Sequence, residues 1–421
     1  MTRGCEECQG ISRRGFLRGA AVLAATPMLG LATDTLGTRL AFADGSYTGD
    51  TLVVLSLRGG FDGLSAVVPA GDSDYYAWRP TIAVPKASLL PIDTMWGLHP
   101  ALAPLYPLWQ AGQLGAVTAV GNPDPTRSHF EATNEMERAA PGSTLRTGWI
   151  DRALGLRSAG TVFQATQVGY ASPSGQFAGP FNELSLGRLD DFGLDAAGST
   201  TEANRWSRAL KSLYASAPAP IAAPANAALA ALSTVQQLRA TDYQPANGAS
   251  YDDSSELAKA LRDVARMIKG NVGLQVAAVD FGDWDMHEGL GAAGGGWMND
   301  HLTELANALL AFTQDLGTAM DKVTVITLSE FGRRLEENGS GGVDHGHGNQ
   351  VLLLGGGVNG GQVHGTWPGL KEADLDDGDL AKTTDYRQVL AEVLSKRCGQ
   401  TGMSTVFPGL PSGVLGVVKQ G

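Results

Sequence analysis

Seven histidines occur in the 421 residues, and four of them sit in loops that also carry carboxylates or a hydroxyl. Ser128-His129 closes a loop that begins at Asn122. Asp283-Trp284-Asp285-Met286-His287 places two carboxylates ahead of an imidazole. Asp344-His345-Gly346-His347-Gly348 alternates ligand-type side chains with glycines, which let a backbone approach closely. Asp62 and Glu330 add single carboxylates after apolar runs. Imidazole with carboxylate and no thiolate is a donor set for Zn, Mn or Fe, whereas Mg and Ca take oxygen ligands. The candidate metal ligands are therefore Asp62, Asp285, His287, Glu330, Asp344, His345 and His347. Each also has a plain structural role open to it. An Asp after a strand is commonly a turn or cap residue, Ser128 is a good N-cap type, and Asp-x-His fits a surface turn.

Chemistry of this kind needs elements that bring distant loops together. Thr51 to Leu57 is a continuous apolar run ending at Arg58-Gly59-Gly60, the pattern of a buried strand. Leu114 to Val120, Leu274 to Val279, Val323 to Leu328 and Val351 to Leu354 read the same way. Between them, Pro100 to Trp109 and Phe130 to Arg138 read as helices. Leu257, Leu261, Val264 and Ile268 share a helical face that Gly270 ends, and Leu302, Leu305, Leu309, Phe312 and Leu316 share another. Alternation of helices with continuously apolar strands predicts an α/β fold. Its central sheet should be mostly parallel, with helices on both faces. In such sheets ligands bind beyond the carboxyl ends of the strands, which is where Asp62, Ser128, His129, Asp285, His287 and Glu330 fall. The Ala- and Pro-rich stretch from residue 215 to 228 reads as a linker or excursion, extending to about residue 250.

Other chemistries lack their signatures. No G-x-G-x-x-G follows the first strand, no P-loop occurs, and there is no G-x-S-x-G elbow. Arg58, Arg127, Arg333 and Arg334 lie near the strand-end loops, where an anionic substrate would pair with them; singly, each reads as a surface charge. The formal charge of −12 argues against a nucleic-acid partner, since phosphate binding needs a basic face.

The first 43 residues read as a targeting segment. Ser12-Arg13-Arg14-Gly15-Phe16-Leu17-Arg18 is a twin-arginine pattern, a mild apolar stretch follows, and Ala41-Phe42-Ala43 is a small-residue cleavage site. Processing there removes Cys5 and Cys8 and leaves residues 44–421, read as one domain, with Cys398 as its lone cysteine. No later apolar run approaches a membrane span. The expected location is periplasmic or secreted, with the twin-arginine translocase as partner during export.

The segments LSLRGGFDGLSAVVP, RSHFEATNEMER, GWIDRALG, DWDMHEG and TLSEFGRRLEENGSGGVDHGHGNQVLLLGGGVNGG resemble the bacterial family called domain of unknown function 1501. The resemblance covers nearly all of residues 44–421. It implies an alkaline phosphatase-like fold, in a superfamily of phosphatases, sulfatases, phosphodiesterases and phosphoglycerate mutases. It further implies an ester hydrolase with one or two divalent ions, Zn or Mn, acting on an anionic small-molecule or glycan ester. By position, Ser128 matches the nucleophile at a helix start, with His129 beside it and Thr126 in reserve. Where that superfamily usually has Asp-His after a strand, this chain has Glu330-Phe331, and phenylalanine cannot ligate a metal. The competing expectation is an exported binding or assembly protein on a degraded hydrolase scaffold.

Overall fold

The computed structural model describes residues 49–421 except 158–159, 182, 195–199 and 241. The twin-arginine segment expected over residues 1–43 lies outside the described residues. No described helix is long and apolar enough to cross a membrane.

A nine-stranded sheet runs through the chain. Its strands are β1 (Thr51–Leu57), β2 (Leu114–Gly121), β3 (Ala165–Val168), β4 (Leu184–Leu186) and β5 (Val276–Phe281). The chain then adds β6 (Val323–Leu328) and a separate two-stranded hairpin, β7 (Arg333–Glu337) with β8 (Val343–His345). It returns to the sheet as β9 (Asn349–Leu354), β10 (Val363–His364) and β11 (Thr384–Asp385). The order across the sheet is β10-β2-β9-β6-β1-β5-β3-β4, with β11 also on β2. β1 pairs in parallel with both β5 and β6, placing Val53 beside Ala277 and Val325. Only β9 runs antiparallel, against β2 and β6. Between β6 and β9 the chain makes the β7–β8 hairpin instead of a crossover helix. A parallel return needs such a crossover, so this strand comes back reversed. The reversal brings the start of β9, and the Asp344–His347 segment before it, to the edge where β1, β2, β5 and β6 end.

Side chains alternate across the sheet, and both faces are covered. Val53, Leu55 and Leu57 of β1 enter one core cluster with the helices Glu256–Lys269 and Trp297–Leu316. Leu52 and Val54 enter the other, against Trp149, Ile150 and the helix Tyr386–Lys396. Each fully buried aliphatic side chain contributes about 1.5–3 kcal/mol, so a strand lined on both sides is a rigid platform for its terminal loop.

The helices follow their local chemistry. Ser255 caps the first of these helices by accepting from Ala258 N, and Asp385 with Gln388 forms a capping box on the last. The Ala/Pro-rich stretch read as a linker is helical. The chain forms helices over Thr200–Tyr214 and Ala219–Arg239. Pro218 and Pro220 sit at the start of the second, where proline is tolerated, and alanine has the highest helix propensity. The helix expected over Pro100 to Trp109 divides into a tighter turn, Pro100–Leu105, and a short helix, Tyr106–Gln110. Pro104 at their junction has no N–H to carry a helix through.

Candidate metal centre

The helix α1 (His129–Arg138) opens one residue after Ser128, which is its N-cap and makes no side-chain capping bond. His129 is thereby at the first turn, beyond the end of β2. Its Nδ1 lies 2.8 Å from Glu330 Oε1. Glu330 is 3% exposed and is anchored by Gly59 N, which donates to the same oxygen at 2.8 Å. The Nε2 of His129 points at His345 Nε2, 3.1 Å away, and at Asp285 Oδ2, 3.5 Å away.

The loop after β5 supplies Asp285 and His287. His287 Nδ1 is 2.8 Å from Asp344 Oδ1, and its Nε2 is 3.0 Å from His345 Nε2 and 3.1 Å from Asp285 Oδ1. His345 ends β8. Its Nδ1 donates to the Arg127 carbonyl at 2.9 Å, and its Nε2 is 3.2 Å from Asp285 Oδ1. All three rings thus bond an acceptor through Nδ1. That puts the proton on Nδ1 and leaves each Nε2 as a lone pair. The Nε2 atoms of His129 and His287 each lie 3.0–3.1 Å from that of His345, and an Asp285 oxygen lies 3.1–3.5 Å from each of the three, an arrangement of acceptors that repel. A cation resolves it. Tetrahedral ligands at about 2.0–2.1 Å from an ion are about 3.3 Å apart. Ligand atoms of His129, Asp285 and His345 all lie within 4.8 Å of one another. The donor set therefore fits a divalent ion of the Zn or Mn type, with each imidazole held from behind as ligating histidines are.

Electrostatics favour this state. Burial opposes ionisation of Asp285, but the Arg333 guanidinium, His345 and His287 outweigh it and hold the carboxyl below its ordinary range. The hydrogen bond from His287 holds Asp344 down. Burial, with the nearby Arg333 charge, pushes His345 down against the hydrogen bond to the Arg127 carbonyl and so favours its neutral form.

Arg333 organises the loops. Its side chain is fully buried. The guanidinium donates to Asp285 Oδ1 at 2.6 Å, to Val343 O at 3.0 Å and to Trp284 O at 3.1 Å, and also to the carbonyls of Gly59 and Gly60. One fork therefore ties the ends of β1 and β5 to β8. Gly59 has φ +112°, and a Cβ there would sit 2.7 Å from Asp285 N, so the first loop lies against the second only as glycine. Sequence reading placed Arg333 among single surface charges; nothing in its spacing signals a buried hub.

Not all expected ligands join the cluster. Asp62 is 2% exposed and bidentate to buried Arg79, at 2.6 and 3.0 Å, with Ser65 Oγ donating at 2.6 Å. Both of its oxygens are taken. His347 lies beyond the end of β8, in a bend outside any strand, and is held away from the cluster by other partners. Its Nε2 donates to Asn122 O at 2.8 Å and its Nδ1 faces Asp376 at 3.4 Å. Glu330 and Asp344 stand behind the rings of His129 and His287. His129, expected beside the nucleophile, has its Nε2 in the cluster. The Phe331 ring packs 4.8 Å from the rings of both His129 and His345. Thr126 Oγ1 donates to Glu131 at 2.8 Å. The remaining arginines near the site are paired: Arg127 and Arg334 with Asp379, Arg58 with Glu137 and Asp280.

Fold and site together define an α/β protein with a histidine–aspartate centre beyond the strand ends of a mostly parallel sheet. The chain belongs to the family described as Protein of unknown function (DUF1501), matched over residues 104–396. No curated protein matches it. Among solved structures it is similar to a phosphonate monoester hydrolase of Agrobacterium radiobacter. That match has 10% identity and a TM-score of 0.36, covering 87% of this chain and 78% of that one. It is also similar to the alkaline phosphatase of the Antarctic bacterium TAB5, with 11% identity and a TM-score of 0.30, covering 73% of this chain and 91% of that one.

Proposed function

We propose that the protein is an exported, metal-dependent hydrolase of phosphate or sulfate esters. His129, Asp285, His287 and His345 hold a single Zn²⁺ or Mn²⁺ ion. The observation that carries this reading is the meeting of the His129, His287 and His345 Nε2 atoms at Asp285, with each Nδ1 already on an acceptor. When bound, such an ion supplies Lewis acidity and lowers the pKa of water. Phe331 fills the place where the family resemblance leads one to expect a second ion's histidine, which favours one ion over two.

The chain's own residues do the rest. Glu330, Asp344 and the Arg127 carbonyl keep the imidazole protons on Nδ1, so the rings ligate as neutral donors. Arg333 keeps Asp285 charged and aimed. The first turn of α1 presents backbone N–H groups and the positive end of its dipole, favouring a substrate anion. Ser128 is the candidate nucleophile, because it stands at the N-cap with its side chain unused in capping, whereas Thr126 is engaged with Glu131.

The test is elemental analysis of protein purified after export, with phosphate- and sulfate-release assays, on wild type and His345→Ala. Wild type should carry close to one ion per chain and release the anion, and the variant should do neither. Metal-free active protein sinks the reading, and bound metal without turnover leaves a binding protein on the same scaffold. Export is tested by replacing Arg13 and Arg14 with Lys. Precursor should then accumulate in the cytoplasm, and unchanged mature protein outside the inner membrane refutes twin-arginine routing.

A further inference from the structure

A cleft of about 530 Å³ adjoins the cluster and includes His129, Asp285 and Glu330 in its lining. That volume lies within the roughly 300–1,000 Å³ of small-molecule sites. Much of the remaining lining comes from α1 and the end of β1: Arg58, Phe130, Thr133, Asn134 and Glu137. His129, Thr133 and Glu137 recur every four residues and share one helical face, so the helix that carries a cluster histidine also builds the cleft.

Three properties of this lining bear on what enters it. Phe130 is 91% exposed, a bare ring beside a cleft whose lining is more apolar than polar. Among the described residues, no hydrogen bond engages the side chain of Thr133 or Asn134. Arg58 is bound through Nη2 by two carboxylates, Glu137 at 2.6 Å and Asp280 at 3.3 Å, so its charge is more than balanced locally. Among the described residues, its Nε and Nη1 make no hydrogen bond.

We propose that this cleft receives a neutral polyhydroxylated group, a sugar ring, esterified to the anion held at the cluster. The inference rests on the hydrolase reading above. A sugar hydroxyl both donates and accepts, and so do the Thr133 hydroxyl and the Asn134 amide. Arg58 adds donors. The C–H face of a pyranose is apolar and flat enough to cover the Phe130 ring. A second anion on the leaving group would face the Glu137 and Asp280 carboxylates. A plain alkyl group would make no hydrogen bond to Thr133 or Asn134. In the reaction, Ser128 Oγ adds to phosphorus or sulfur as the bond to the sugar oxygen breaks, and the Ser128 proton leaves with the sugar as the alcohol. Water then cleaves the seryl ester, which releases the anion and returns a proton to Ser128.

The experiment is calorimetric binding to full-length protein purified with its metal. The probes are glucose 6-phosphate, glucose 6-sulfate, methyl phosphate, methyl sulfate and AMP, with anion release followed in parallel. The glucose esters should bind at least tenfold more tightly than the matching methyl esters. Phe130→Ala and Asn134→Ala should each reduce that ratio several-fold; Phe130 is so exposed that its removal disturbs little packing. Equal binding of glucose and methyl esters, an unchanged ratio in both variants, tighter binding of AMP, or no binding at all overturns the sugar assignment. A preserved tenfold preference without any anion release supports the cleft assignment and overturns the hydrolase reading, so the two fail separately.

Discussion

Arg333 Nη2 lies 2.6 Å from Asp285 Oδ1, a fully buried guanidinium against a carboxylate whose side chain is 47% exposed. The charge that faces the cleft is thus oriented from inside the protein. Arg333→Met removes five hydrogen bonds and strands buried carbonyls. It should destabilise the fold by about 3 kcal/mol or more and weaken metal binding about 10–100-fold. Denaturant midpoints and metal titration check the two effects. Arg333→Lys keeps the charge but loses the fork, and should recover little of either.

Asp62 and His345 separate structure from ligation. Asp62→Ala leaves Arg79 buried without its carboxylate, which should cost about 3–5 kcal/mol. The folded fraction should keep its full metal content. His345→Ala should do the reverse, with metal lost and the fold largely kept. Elemental analysis beside thermal melts distinguishes them, and loss of metal on replacing Asp62 would return it to the ligand set.

Glu330 and Asp344 perform the same task at different depths. Glu330 is buried and shared with Gly59 N, while the Asp344 side chain is 55% exposed. Glu330→Gln should lower metal affinity by about 10–100-fold. Asp344→Asn should lower it less, because water can replace an exposed acceptor. Competition with a coloured chelator measures both, and equal losses would contradict the ranking.

His99 gives a pH signature away from the site. It is 1% exposed and its Nδ1 accepts from Ala101 N at 3.1 Å. Burial pushes its pKa down to about 4, which the Ala292 carbonyl opposes only in part. Between that value and the ordinary 6.5, the unfolded chain binds the extra proton. Stability from this residue is therefore full above about pH 6.5 and falls as the pH drops towards 4, by about 3 kcal/mol in all. His99→Gln should remove that slope. The difference between wild type and variant in urea melts from pH 7 to 4 reads it, and parallel curves would refute it.

Much of this was legible in sequence because buried parallel strands are continuous apolar runs: β1 and β6 coincide with the runs at residues 51–57 and 323–328. The strand-end rule pointed to Asp285, His287 and His345, and to Ser128-His129 as a pair. Roles were less legible than places. Whether a carboxylate ligates, or holds a ring from behind, depends on a few ångströms that spacing does not encode, as with Glu330 and Asp344. Asp62 is taken up by Arg79, which looks unremarkable in sequence. Of the histidines at 345 and 347, only the first faces the cluster, because the strand ends there and the bend that follows carries His347 to the Asn122 carbonyl. Residues 215–228 read as a linker or excursion, and the chain enters a helix at Ala219, with Pro218 and Pro220 at its start, where proline is tolerated, and Pro224 inside it.

The position of β1 in the sheet also sets an order of events. The first strand among the described residues, β1, lies at the centre, and both its neighbours, β5 and β6, come from residue 276 onward. Thr51 Oγ1 already reaches across 223 residues of chain to Leu274 O. Such long-range pairing is slow, and a nascent chain exposes the apolar β1 until the late strands arrive. His345 is made after nearly all of them. Synthesis therefore delivers an open sheet with scattered ligand-type side chains, and the histidine–aspartate cluster can come together only once residue 345 has been made.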